Sequence, residues 1–143
     1  AIILENRPVF VALQEVTAVI YQLLQWQAWW GSYEATKLPS QRDYFTVLLV
    51  SKTSPHVTTG RASEILFRSS SMGRSLLMVE CKVAGRPLVI ATSHLESNLG
   101  WTPDKQRHVE RREQVGQAMV VFSRIEGDVI WVGDMNWGKR DGE

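Results

Sequence analysis

A mixed α/β fold, antiparallel in its middle with helices packed outside, is predicted by three observations in this sequence. The elements run strand, helix, several strands, helix, strand. A hairpin stands at the centre, where Ser75–Val83 and Pro87–Thr92 flank the turn Ala84-Gly85-Arg86. Three strands end in polar clusters: Gln14-Glu15, Ser93-His94 with Glu96 and Ser97, and Asp134 with Asn136. Strand ends are where α/β folds assemble their sites.

Taken in order, Val9–Leu13 is a continuous apolar run after Pro8 and predicts a buried strand with a carboxylate at its C-terminal end. Thr17 can cap a helix whose apolar positions Val19, Ile20, Leu23, Leu24 and Trp26 follow a helical period, with Gly31 as its stop. Tyr33–Thr36 is strand-like, and a loop with Pro39 and Ser40 follows. Asp43–Val50 is rich in aromatic and β-branched residues, again a strand. Ser51–Gly60 reads as a loop, Ile65–Phe67 as a short strand and Arg68–Gly73 as a surface segment. Thr102-Pro103-Asp104 opens a second helix with cap, proline and acid. That helix carries Val115, Ala118, Met119 and Phe122 on one face, with Lys105, Arg107, Arg111 and Arg112 elsewhere, and ends before Gly127. The apolar run Val129–Val132 then predicts a strand buried on both faces, broken at Gly133. Asp134 and Asn136, two apart, would point to one side of extended backbone.

Composition bounds the function. The 143 residues make one domain or a piece of one, and 44% hydrophobic with 22% charged residues rules against disorder. A net charge of +1 advertises no global field for nucleic acid, so any basic surface must be local. Cys81 is the only cysteine, which excludes an internal disulfide and fits a reducing compartment. No apolar run approaches the ~20 residues of a membrane span, and no signal peptide is expected within these residues. The chain begins without Met on Ala1-Ile2-Ile3-Leu4, which reads as the interior of a longer protein. Of the six Trp, most are expected in the core. Zinc-type Cys/His spacing, a phosphate-gripping Gly-rich loop and a Gly-x-Ser-x-Gly elbow are all missing. What remains is hard oxygen ligands, one His, and amide or hydroxyl donors. That set suits Mg²⁺, which takes one or two carboxylates and keeps its waters, and metal-assisted attack of water on a phosphodiester.

Leu13-Gln14-Glu15-Val16, Thr92-Ser93-His94-Leu95-Glu96-Ser97 and Gly133-Asp134-Met135-Asn136 resemble the motifs of the endonuclease/exonuclease/phosphatase superfamily, with its DNase-I-like fold. The full Ser-His-Leu-Glu-Ser string, with Asp43-Tyr44-Phe45-Thr46 upstream, is most similar to the 5′-tyrosyl-DNA phosphodiesterase branch. The resemblance spans essentially the whole chain. It implies part of a four-layer α/β/β/α sandwich, with mixed, mainly antiparallel sheets and outer helices. It also implies a role for each matching residue. Glu15 would be the Mg²⁺ ligand (Mn²⁺ is the alternative ion), and Asp134 the acid that orients or deprotonates the attacking water. Asn136 would be its partner on the phosphate, and His94 and Ser97 phosphate contacts. Tyr44 and Arg74 would line the DNA channel, against a plain reading as a half-buried Tyr and a solvated Arg. Glu96 reads as a structural hydrogen-bond acceptor, and the Arg107–Arg112 cluster as a solvated helix face.

Two family segments are expected to lie outside residues 1–143: an Asn-bearing strand before them and a Ser-Asp-His strand after them. Leu99 stands where the branch usually has an Arg, and Trp137-Gly138 replaces Leu-Arg. The sequence therefore implies a partial catalytic domain, with impaired folding and little activity if it exists alone. The implied function is Mg²⁺-dependent hydrolysis of the 5′-phosphotyrosyl bond between DNA and a trapped topoisomerase-type protein, in nuclear, and secondarily cytoplasmic, DNA repair. Its partners would be DNA 5′ ends carrying a tyrosyl or protein adduct, with no membrane. The alternatives are another phosphodiesterase of the same fold (abasic-site endonuclease, RNA deadenylase, phosphoinositide phosphatase) or a non-catalytic nucleic-acid-binding relative.

Overall fold

Strand β3 (Phe45–Ser51) is buried along almost its whole length because it serves two cores at once. Val47 and Leu49 face one, Leu48 and Val50 the other, as the two-residue side-chain period of a strand requires. A computed structural model describes residues 2–36, 42–99 and 107–138. In it β3 is the middle of a three-stranded antiparallel sheet, between β1 (Phe10–Val16) and β2 (Tyr33–Ala35). A second sheet has the order β4 (Val57–Leu66), β5 (Ser75–Val83), β6 (Arg86–His94), β7 (Asp128–Asp134).

The two sheets face each other across Leu48, Val50, Leu77, Val79, Cys81 and Ile90. On the outer side of the first, Val16, Trp29, Tyr33 and Phe45 pack with Ile3 of α1 (Ile2–Asn6) and with Tyr21 and Leu24 of α2 (Ala18–Gln25). On the outer side of the second, Ala118, Val115 and Phe122 of α3 (His108–Phe122) pack on Leu76, Met78, Val89 and Ala91. Helix, sheet, sheet, helix is the layer order the resemblance implied. The β5–β6 hairpin is the one predicted, although its turn is the residue pair Ala84-Gly85, with Arg86 already opposite Val83. Both turn residues have positive φ, 50° and 81°, as a two-residue turn matched to strand twist needs. β7 pairs parallel to β6, and α3 is the crossover between them.

Several expectations are corrected. The predicted loop Ser51–Gly60 ends early, because β4 begins at Val57 and runs unbroken to Leu66, absorbing most of the separate strand expected at Ile65–Phe67. The first helix is capped by the Thr17 hydroxyl on Ile20 N–H at 3.2 Å, as predicted, but stops at Gln25. Gly31 lies in a 3₁₀ turn beyond it. The packing stripe is Tyr21 and Leu24, while Val19, Leu23 and Trp26 (79% exposed) face outward. Among the described residues β7 ends its sheet rather than being buried on both faces, and Ile130 and Val132 are 49% and 40% exposed. Pro39, Ser40, Thr102, Pro103, Asp104 and Lys105 lie outside the described residues. Among those described, no helix is long and apolar enough to cross a membrane.

Candidate active site

Three strand ends meet at one rim. Parallel register sets His94, the last residue of β6, directly opposite Asp134, the last of β7, and Leu95 N–H continues the ladder to Asp134 O at 2.9 Å. Gln14 of β1 reaches across between the sheets to donate to Thr92 Oγ at 2.9 Å. Beside it the β1–β3 register slips between Leu13 and Val16, and Glu15 takes φ +55°. Such a bulge re-aims a side chain, and a non-glycine residue in the left-handed region is the kind of strain that functional sites hold. So Glu15 does not simply end the strand, which runs on to Val16; it is turned out of it, with its side chain 69% exposed.

His94 is buried to 4% and lies between two carboxylates, with Nδ1 3.8 Å from Glu15 Oε1 and Nε2 3.7 Å from Asp134 Oδ2. Those distances would suit ion pairs to a charged imidazolium, but Arg74 decides otherwise. Its Nη1 is 2.8 Å from His94 Nδ1, and a guanidinium can only donate, so Nδ1 accepts and the ring proton stands on Nε2. Burial, then the Arg74 charge, push His94 below the ordinary imidazole value against the pull of Asp134 and Glu15. The ring is therefore neutral, with Nε2–H turned toward Asp134.

Ser97 is held the same way. Its Oγ accepts from Arg74 Nη2 at 2.9 Å and from Asn136 Nδ2 at 3.1 Å, which fills both lone pairs and leaves its own proton to donate. Its neighbour at 3.4 Å, His94 Nε2, is itself a donor, so two donors stand side by side. Asn136 is not in extended backbone as expected. It has φ +47° and donates its N–H to Asp134 Oδ1 at 3.0 Å, a local turn that still brings both side chains to the rim. Its two amide hydrogens go to Leu95 O and Ser97 Oγ. Arg74 is no solvated arginine: it is 6% exposed, its guanidinium carbon lies 5.2 Å from the Tyr44 ring centroid, and its Nε–H has no partner among the described residues. The seven residues predicted for the site are thus joined by contacts at one rim, where Glu15, Tyr44, Arg74 and His94 line a small cleft.

Sequence reasoning named Glu96 as a structural acceptor but missed the partners that hold these residues there. Glu96 is fully buried, as an acceptor should be, and takes bonds from Ser70 Oγ, Ser71 N–H and Oγ, Met72 N–H and Gln114 Nε2. The 68–73 segment is therefore pinned inward rather than being plain surface. Arg111, expected on a solvated face, is 2% exposed and donates to Glu96 O and to Asn98 Oδ1. The available signal was that Arg111, Gln114 and Ala118 share one helical face.

Burial alone would raise the Glu96 pKa, but the bonds from Ser70, Ser71 and Gln114 outweigh it and hold the group below the usual carboxylate value. With a depressed folded value, its contribution to stability is complete above the unfolded value of about 4.3 and is lost as pH falls through the folded one. Glu96→Gln is expected to lower stability at pH 7 by about 1–3 kcal/mol and to flatten the acid limb of the unfolding curve. Chemical denaturation from pH 7 to pH 3 checks this, and an unchanged acid limb would contradict it.

A model of the Endonuclease/Exonuclease/phosphatase family matches residues 1–143. Tyrosyl-DNA phosphodiesterase 2 of Gallus gallus is 35% identical over 135 residues, covering 90% of this chain and 32% of its own length. That of Homo sapiens is 29% identical over 140 residues, covering 94% and 34%. A crystal structure of D. rerio TDP2 complexed with single strand DNA product superposes with TM-score 0.83 at 25% identity, over 98% of this chain and 52% of that one. The endonuclease/exonuclease/phosphatase of Bacteroides vulgatus, at 16% identity and TM-score 0.76, covers 99% of this chain and 57% of its own, and shows the fold alone. This chain thus spans about a third of the length of the protein relatives and about half of the solved ones.

Proposed function

Because the chain belongs to the endonuclease/exonuclease/phosphatase family, we propose that its rim cleft hydrolyses phosphodiesters, and specifically the 5′-phosphotyrosyl bond of DNA. The observation that carries this is the placement of His94 Nε2 and Ser97 Oγ side by side, 3.4 Å apart, with the Glu15 and Asp134 carboxylates on either side of the imidazole. Charge builds on the phosphoryl oxygens in the transition state, and fixed donors at that place lower its energy most. Asp134, half exposed, takes the proton of the attacking water. Arg74 and Asn136 keep Ser97 aimed, and the Tyr44 face beside Arg74 is where an aromatic leaving group would stack.

The donor set also fits a divalent ion. No group of three or more His, Cys, Asp or Glu among the described residues forms a metal cage. Glu15 instead offers one outward carboxylate, and Mg²⁺ is bound by one or two carboxylates while keeping its waters and a substrate oxygen. When bound there, the ion would supply Lewis-acid polarisation of the phosphoryl group. The names of the Gallus gallus and Homo sapiens relatives favour the tyrosyl substrate, and DNA 5′ ends would then be the partner and the nucleus the workplace.

The test is hydrolysis of a 5′-phosphotyrosyl oligonucleotide by the full-length protein and by residues 1–143, beside an abasic-site duplex. Mg²⁺-dependent tyrosine release is expected, with Glu15→Gln lowering kcat/KM by at least about a hundredfold and raising the Mg²⁺ concentration needed. Cleavage of the abasic duplex alone would move the substrate within the family, and no cleavage by a folded protein would leave a binding role.

A further inference from the structure

Ser70 joins two networks. Its hydroxyl donates to Glu96 Oε2 at 2.7 Å, which uses its only proton, and its lone pairs accept from Met72 N–H at 3.2 Å and Arg74 N–H at 2.8 Å. Phe67 N–H donates to Arg74 O at 3.0 Å, so the Arg74 main chain is fixed at its donor by Ser70 and at its acceptor by the start of the same loop. Glu96 is a fully buried anchor. Gln114 holds its carboxylate at 3.0 Å and accepts from its N–H at 2.9 Å, while Arg111 holds its carbonyl.

We propose that Ser70 is a positioning residue of the cleft: hung on the buried Glu96, it sets the main chain of Arg74 so that the guanidinium reaches His94 and Ser97. This rests on the reading of that cleft as a phosphodiesterase centre. Position is passed in order from α3 to Glu96, from Glu96 to Ser70, and from Ser70 to Arg74. Arg74 in turn holds Nδ1 of His94 at 2.8 Å and Oγ of Ser97 at 2.9 Å. Without the Ser70 hydroxyl, the Arg74 N–H loses its acceptor in a residue that is 6% exposed, and the loop relaxes to find another. A shift of about 1 Å at the guanidinium frees the His94 tautomer and the Ser97 lone pair that Arg74 fills, a misplacement of the size that costs about a hundredfold in rate.

The experiment compares Ser70→Ala, Ser70→Thr, Arg74→Ala and the Ser70→Ala/Arg74→Ala double variant in the full-length protein, by tyrosine release and by amide hydrogen exchange. Ser70→Ala is expected to lower kcat about ten- to hundredfold with KM within about threefold of wild type, and Ser70→Thr, which keeps the hydroxyl, to restore it. In the Arg74→Ala background, Ser70→Ala should cost less than about twofold, because the residue it acts through is gone. The Arg74 amide should exchange faster in Ser70→Ala while Leu77 and Ile90 in the sheet stay protected. Full activity in Ser70→Ala, or an equal loss on top of Arg74→Ala, overturns the proposal. If even the wild type releases no tyrosine, the catalytic reading fails separately. Exchange then decides alone: a faster Arg74 amide in Ser70→Ala supports the hold, and an unchanged one overturns it.

Discussion

Asp134→Asn is expected to lower kcat for tyrosine release by about two to four orders of magnitude, the range ascribed to a positioned general base, while the protein keeps its thermal midpoint. The two halves of that expectation come from different atoms of one side chain. Oδ1 accepts the Asn136 N–H and closes the local turn, and an asparagine carbonyl can do the same. Oδ2 is the atom near His94 Nε2, and there asparagine supplies an uncharged amide that takes no proton from water. KM should move little, because on the proposed reading the phosphate is met by His94 and Ser97, which the substitution leaves in place. Steady-state kinetics beside a melting curve separates the cases. A loss below tenfold would place the base elsewhere, and a collapse of the midpoint would make Asp134 a structural residue.

Gly133→Ala should be the most destabilising single change on this rim. Gly133 is opposite Ser93 in the parallel ladder, with φ +142°. A Cβ built on it would lie 2.0 Å from the Ser93 carbonyl oxygen and 3.0 Å from the Ser93 nitrogen. Both contacts are backbone in a hydrogen-bonded sheet, so no flexible side chain can give way, and the strand must separate or twist. A loss of more than about 4 kcal/mol is expected, visible as loss of soluble protein or a large drop in midpoint. Gly116 in α3 is the internal control. An added Cβ there meets nothing within 4 Å, and Gly116→Ala should stabilise by about 0.5–1 kcal/mol through helix propensity. Equal behaviour of the two variants would refute the steric account.

The residues of the cleft were named because three motif strings at strand ends resemble those of a known family, and the contacts bring those residues together at one rim. β4 was not legible. Thr58, Thr59, Gly60, Arg61, Ser63 and Glu64 put polar residues on both faces, which is what an edge strand half in solvent tolerates and what a pattern search takes for loop. The exposure of β7 was hidden for the opposite reason: its apolar composition says buried, while among the described strands it ends its sheet. Arg111 was misread because arginines on helices are mostly solvated, and only the Glu96 and Asn98 acceptors, distant in sequence, draw it inward. Ser70 sits in a run of three serines that composition alone marks as surface.

The cleft draws on Glu15 from β1, Arg74 at the head of β5, His94 and Ser97 from the end of β6 and Asp134 from the end of β7. No segment of the polypeptide shorter than Glu15 to Asn136 contains it. The β5–β6 hairpin can close from neighbours in sequence, whereas the parallel β6–β7 pairing must first bridge the whole α3 crossover, so contacts of high sequence separation come late. On a ribosome the strand bearing Asp134 also emerges last of the seven described strands. Until it docks, the nascent protein carries a hairpin and helices but no paired carboxylates around His94, so on the proposed reading a half-made copy would lack the means to hydrolyse a phosphodiester.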